Sequence, residues 1–164
     1  MKDLAFPILL LCFCSCLDNS KQQDIPAIVS DYYETYKKRE NFNMFLDFYD
    51  ENMVLEDMVS GDRKVGKEEF AEFFNWDHPS FMLLDSVSMV IENQIIDGYE
   101  VVTQGHFTPF KWDSTRVDAM HFTSILTFNQ KGKIIKQVDW INYPSYLIDY
   151  QKRKDSNSWI NNRN

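Results

Sequence analysis

The chain has 164 residues, a formal net charge of −8 and an aromatic share of 15 %, with 13 Phe, 8 Tyr and 4 Trp. An acidic surface is repelled by nucleic acid and by anionic headgroups, so no nucleic-acid partner is expected. The length supports one ordinary apolar core and not two comfortable ones, and so many rings either fill that core or wall an apolar cavity.

Met1-Lys2-Asp3 precedes an apolar run, Leu4 to Phe13, and then Cys14-Ser15-Cys16. The run is too short to span a bilayer permanently, and it fits the apolar region of a secretory signal. A Cys directly after Ser15 resembles a bacterial lipoprotein signal. That resemblance implies a signal peptide over residues 1–15, lipidation of Cys16, and a lipid anchor holding the domain to a membrane of the bacterial cell envelope, outside the cytoplasm, periplasmic or surface-facing. An uncleaved anchor or a buried first helix is the alternative, because Lys2 is offset by Asp3. Cys12, Cys14 and Cys16 are the three cysteines, so cleavage before Cys16 leaves no disulfide. Residues 16–24 read as the lipidated Cys and a polar spacer.

From Ile25 the apolar period is helical: Ile25, Ile28, Val29, Tyr32 and Tyr36 form one stripe, with Asp31, Glu34, Lys37 and Lys38 opposite. A second helix presents Phe42, Phe45, Leu46 and Tyr49. Met53 to Met58 is a short strand, Ser60-Gly61-Asp62 a turn, and Lys67 to Phe74 a third helix with Phe70, Phe73 and Phe74 on one face. From Phe81 the period changes to two. The expected strands are Phe81 to Glu92, Tyr99 to Lys111, Thr115 to Phe128 and Lys133 to Asn142. They are joined at Asp97-Gly98, Trp112-Asp113-Ser114 and Asn129-Gln130-Lys131-Gly132. A short helix over Ser145 to Tyr150 and a fraying polar tail over 151–164 follow. Helices first and antiparallel strands after predict an α+β domain over 25–150, about three N-terminal helices packed on one face of a strongly curved antiparallel sheet. Such a sheet closes into a cone-shaped barrel with an apolar interior, a natural place for a small ligand.

The order and spacing of several segments resemble the nuclear transport factor 2-like superfamily, in particular its SnoaL-like, polyketide cyclase-like branch. The residues that carry the resemblance are Ile28 to Lys38 with Tyr32-Tyr33, Phe45 through Asp57, Val65-Gly66-Lys67-Glu68-Glu69-Phe70, and Leu126 through Ile135. Two positions depart from the family pattern: Lys131 replaces an Asp in the last hairpin, and Asn142 stands where the last strand often ends in Asp. The resemblance implies a cone-shaped pocket and dimerisation through the outer sheet face. It implies no single activity, since members include isomerases, cyclases, dehydratases, epoxide hydrolases and accessory domains.

If Phe128 faces Ile134, Thr123 lies opposite Asp139, and His121, Thr123, Ile125 and Thr127 share a face with Ile135, Gln137, Asp139 and Ile141. A carboxylate among aromatic rings has its charged form disfavoured, which suits general acid–base work; Asp139 with His121 is the candidate pair. The bland alternative is an exposed Asp–His pair on the outer face, since a one-residue slip flips every side chain. His106, on the strand next to His121, is either a third member, as in the two-histidine arrangement of scytalone-dehydratase-like relatives, or an inert edge residue. Asp57 is a pocket-mouth base or a turn cap. Tyr32, Tyr33, Phe45, Trp76 and Thr123 are candidate pocket residues, the aromatic ones also being ordinary core. No metal site and no cofactor are expected, because the sequence has no His-Glu-x-x-His, no clustered Cys/His set and no Gly-rich phosphate loop. Two functions stay open: a tethered domain binding a small hydrophobic ligand or a partner, and a cofactor-independent isomerase, cyclase or dehydratase.

Overall fold

The computed structural model describes residues 23–162; the expected signal peptide and Cys16 lie outside the described residues. Helix α1, Ile25–Lys38, begins where the sequence places it. The Asp24 carboxylate accepts from the Ala27 N–H, Pro26 occupies the first turn, and Lys37 and Lys38 sit at the last turn, where their charge suits the helix dipole. Its buried stripe is Ile25, Val29, Tyr32, Tyr33 and Tyr36. Helix α2 is shorter than expected, Phe42–Leu46, with Asn41 as its N-cap. Tyr49, assigned to that helix from its spacing, instead opens strand β1, Tyr49–Asp57. Strand β2, Arg63–Val65, pairs back on β1, and α3 is Lys67–Phe74.

The long strands of the second half divide. Phe81 to Glu92 becomes β3, Phe81–Leu83, and β4, Met89–Asp97. Tyr99 to Lys111 becomes β5, Glu100–Phe107, and leads into β6, Phe110–Trp112. Thr115 to Phe128 becomes β7, Thr115–Val117, and β8, Met120–Phe128; β9 is Ile134–Ile141. The turns fall where expected, with Gly98 and Gly132 at φ of 58° and 73°.

Six strands form one sheet in the order β2-β1-β9-β8-β5-β4, and β3-β6-β7 form a second, small one. The class is α+β with three helices and a large curved sheet. The sheet is not a closed barrel, because β2 and β4 remain free edges, and it is not wholly antiparallel, because β1 runs parallel to β9. The helices cover its inner face. Val29, Tyr32 and Phe45 pack there against Tyr49, Leu55, Val101 and Leu126. Ser145 to Tyr150 forms turns and no helix. The segment expected to fray includes a 3₁₀ helix, Ser156–Asn162, and Ser156 is buried with its hydroxyl donating to the Met58 carbonyl at 2.9 Å.

One irregularity decides which residues face inward. Phe128 does pair with Ile134, as the sequence suggests, but Thr127 pairs with Lys136, so Ile135 is an extra residue on β9. Beyond this bulge the register moves by one: Asp139 lies opposite Ser124 and Trp140 opposite Thr123.

Candidate functional site

A cavity of about 250 Å³ opens between the inner face of the sheet, α1, and the small sheet. Its accessible walls are mostly apolar, although several polar side chains line it. Tyr33 and Tyr36 come from α1, Asp57 from the end of β1, Ser124 from β8, and Gln137 and Asp139 from β9. Tyr143, just past β9, completes the polar side.

Asp57 and Asp139 are direct neighbours across the parallel β1–β9 pair, and both are buried. They are held differently. The Asp57 carboxylate accepts from the Tyr143 hydroxyl at 2.6 Å and from the N–H groups of Val59 and Ser60, both at 2.9 Å. Asp139 accepts one bond, from the Gln137 side-chain amide to Oδ2 at 2.7 Å, and its Oδ1 has no hydrogen-bond partner among the described residues. Burial pushes the Asp139 carboxyl up to about 7; Ser124 and Gln137 oppose that rise and the Asp57 charge adds to it.

Gln137 is itself oriented. Its carbonyl oxygen accepts from the Tyr49 hydroxyl at 2.7 Å, and the Tyr32 and Tyr49 hydroxyls lie 2.8 Å apart. Since Tyr49 gives its proton to Gln137, Tyr32 gives its own to Tyr49. The result is a one-directional chain, Tyr32 to Tyr49 to Gln137 to Asp139, which fixes the amide so that its N–H meets the carboxylate. Burial raises the pKa values of both tyrosines, so they remain neutral donors. The Tyr33 hydroxyl is buried with no bonded partner, the hydroxyls of Thr103 and Ser124 lying near it short of hydrogen-bond geometry. Unpartnered buried polar atoms are rare in folded proteins. Asp139 and Tyr33 both line the cavity, while the two unpartnered oxygens themselves are buried in its wall.

The structure brings only some of the sequence candidates together. Asp139, Asp57, Tyr32 and Tyr33 line the cavity. Phe45 and Trp76 lie behind its lining in the aromatic core, 4.6 Å apart between ring centres. Thr123, His121 and His106 are on the opposite, outer face. The expected Asp139–His121 pair does not form, because the Ile135 bulge puts the two on different sides of the sheet. His121 pairs directly with His106, ring centres 6.1 Å apart, and His106 Nδ1 lies 2.7 Å from a Glu92 carboxylate oxygen, both side chains partly exposed. Of Asp57's two readings, its turn-capping bonds to Val59 and Ser60 are present, and it also borders the cavity.

Sequence reasoning misses Tyr36, Ser124, Gln137 and Tyr143 as site residues. Gln137 was discoverable in part, because strand alternation alone puts it on the face of Asp139. Among the described residues no helix is long and apolar enough to cross a membrane, and no His/Cys/Asp/Glu group could hold a metal ion.

Residues 29–137 match the family model described as SnoaL-like domain. Among solved structures, a candidate SnoaL-like polyketide cyclase of Shewanella putrefaciens CN-32 is similar at a TM-score of 0.61 and 18 % identity, over 74 % of this chain and 91 % of that one. An LEH-like epoxide hydrolase of M. tuberculosis is similar at 0.58 and 16 % identity, over 71 % and 81 %. A candidate ketosteroid isomerase of Kribbella flavida DSM 17836 follows at 0.55 and 15 % identity, over 73 % and 78 %. No curated protein matches the sequence. At such identities the likeness is one of fold.

Proposed function

The chain belongs to the SnoaL-like domain family, and on that basis we propose that it binds a small hydrophobic ligand inside its cone, tethered to a bacterial envelope membrane through Cys16. The observation that carries the reading is the apolar cavity of about 250 Å³ whose wall includes two buried residues with unpartnered oxygens, Asp139 and Tyr33. An apolar cavity of about 150 Å³ already accepts benzene, so this one suits a one- or two-ring molecule with an oxygen substituent for the polar side. The reading includes a homodimer through the outer sheet face, where Val90 and Trp140 are exposed. The test is thermal unfolding with 2-acetonaphthone and related one- and two-ring ketones. A ligand that binds only the folded form raises the melting temperature; no rise with any of them overturns the proposal.

A second reading, cofactor-independent proton transfer, is favoured by the Asp139 carboxyl. Pushed up to about 7, it exists in both protonation states near neutrality. In its ionised form the Asp139 carboxylate takes a proton from the carbon next to a bound carbonyl; the electron pair moves onto the carbonyl oxygen as an enolate, and the carboxyl group returns the proton to a carbon of the ligand. Neither His106 nor His121 takes part. Deuterium uptake next to the ketone in buffered heavy water, lost in Asp139→Asn, would establish this; no uptake in the wild type leaves a binding domain.

A further inference from the structure

We propose that the ligand of the cavity is an anion, a one- or two-ring apolar carboxylate whose carboxyl group docks on Arg39. This rests on reading the cavity as a ligand pocket and names the class of molecule it takes.

Arg39 directly follows α1 and lines the cavity. Its backbone is left-handed, φ 51°, and its N–H donates to the Thr35 carbonyl to end the helix. The guanidinium lies over the Phe81 ring, 4.1 Å from its centre, and 5.1 Å from the centre of Trp76. A cation held over rings in this way leaves its N–H donors free for a further acceptor. Among the described residues, no hydrogen bond or ion pair takes any of its five side-chain donors. Arg63 and Arg116, by contrast, pair with Glu56 and Asp118. Asp77 is near enough to favour the charged form of Arg39, and Glu72 lines the cavity; neither bonds to the guanidinium.

An unpaired, half-buried cation is costly, and in a chain with a net charge of −8 a carboxylate partner was statistically at hand. A guanidinium in a mostly apolar wall is matched by a planar carboxylate, which accepts two parallel N–H bonds. The two pocket acids, Asp57 and Asp139, repel an anion from their own end of the cavity. They therefore orient it, with the carboxylate toward Arg39 and the apolar body across the rings.

The experiment is calorimetric titration of the full-length protein with 2-naphthoate and with its uncharged counterpart 2-naphthamide. The proposal expects the acid to bind at least about tenfold more tightly than the amide, as a charge-assisted bidentate pair requires. In Arg39→Gln the ratio of acid to amide affinity falls to within about twofold, and Arg39→Lys restores part of it. Equal affinity of acid and amide for the wild type overturns the proposal and leaves the pocket reading intact. Failure of both overturns this proposal, and no response to the neutral ketones overturns the pocket reading and this proposal with it. The wild-type comparison decides the matter even if a variant folds poorly.

Discussion

Replacing Asp139 by Asn tests the electrostatics of the cavity directly. The two side chains have nearly the same shape, and the Asn carbonyl oxygen can still accept from Gln137. The variant therefore removes one ionisation and little else. Asp139 titrates at about 7 in the folded protein and at ~3.9 when unfolded. The folded value lies above the unfolded one, so the stability associated with the protonated acid is fully present below about pH 4 and is lost as the pH rises through about 7. Integrated between pH 5 and pH 8, that loss amounts to about 2.5 kcal/mol for the wild type and zero for the variant. The assay is urea unfolding of both proteins at half-unit steps from pH 5 to 8, with the difference in free energy plotted against pH. The difference cancels every other carboxylate to first order. The Asp139→Asn protein should gain steadily on the wild type and level off above about pH 8. A difference flat to within about 0.5 kcal/mol would mean that Asp139 ionises like an exposed acid, and the argument from burial would fail.

Two further substitutions probe the sheet. In Gly105→Ala, the new Cβ would lie inside contact distance of the Val90 carbonyl oxygen and 3.1 Å from the Val90 carbonyl carbon, both of them backbone atoms that cannot rotate away. The expected loss is at least about 2 kcal/mol, read from the urea midpoint; an unchanged midpoint refutes the close β4–β5 approach. Replacing both His106 and His121 by Ala should change stability by less than about 1 kcal/mol, because their contacts are at the surface. It should leave the pH profile attributed to Asp139 where it was, and a displaced profile would place a histidine beside the acid after all.

Much of the architecture could be read from residue order. Helix α1 shows its Asp24 cap, its Pro26 and its apolar stripe in the primary structure, and α3 and the three hairpin turns carry equally local signals. What stays hidden depends on distant partners. Tyr49 continues the apolar period of α2, yet it joins β1, where it pairs with Ile134 far along the chain. The parallel β1–β9 contact that sets Asp57 beside Asp139 has no local signature at all. The site is half legible for the same reason. Asp139 stands out as an acid within an alternating strand, and the Phe128–Ile134 pair follows from the hairpin. The single extra residue at Ile135 leaves only an ambiguous trace: Ile134-Ile135 and Lys136-Gln137 interrupt the alternation, which marks an irregularity without telling which later residues it turns inward. That one insertion in β9 turns Gln137 and Asp139 onto the inner face, which Ser124 of β8 shares, and leaves His121 and Thr123 on the outer one.

On the ligand-binding proposal, the small sheet bears on how a guest enters. Strands β3, β6 and β7 form a ladder only among themselves, and Phe81, Leu83, Phe110 and Trp112 from that unit form part of the cavity rim. The doorway is thus framed by a panel that shares no ladder with the six-stranded wall behind it. On that reading, substitutions in the panel are expected to alter which molecules enter while leaving the β1–β9 pairing of Asp57 and Asp139 in place.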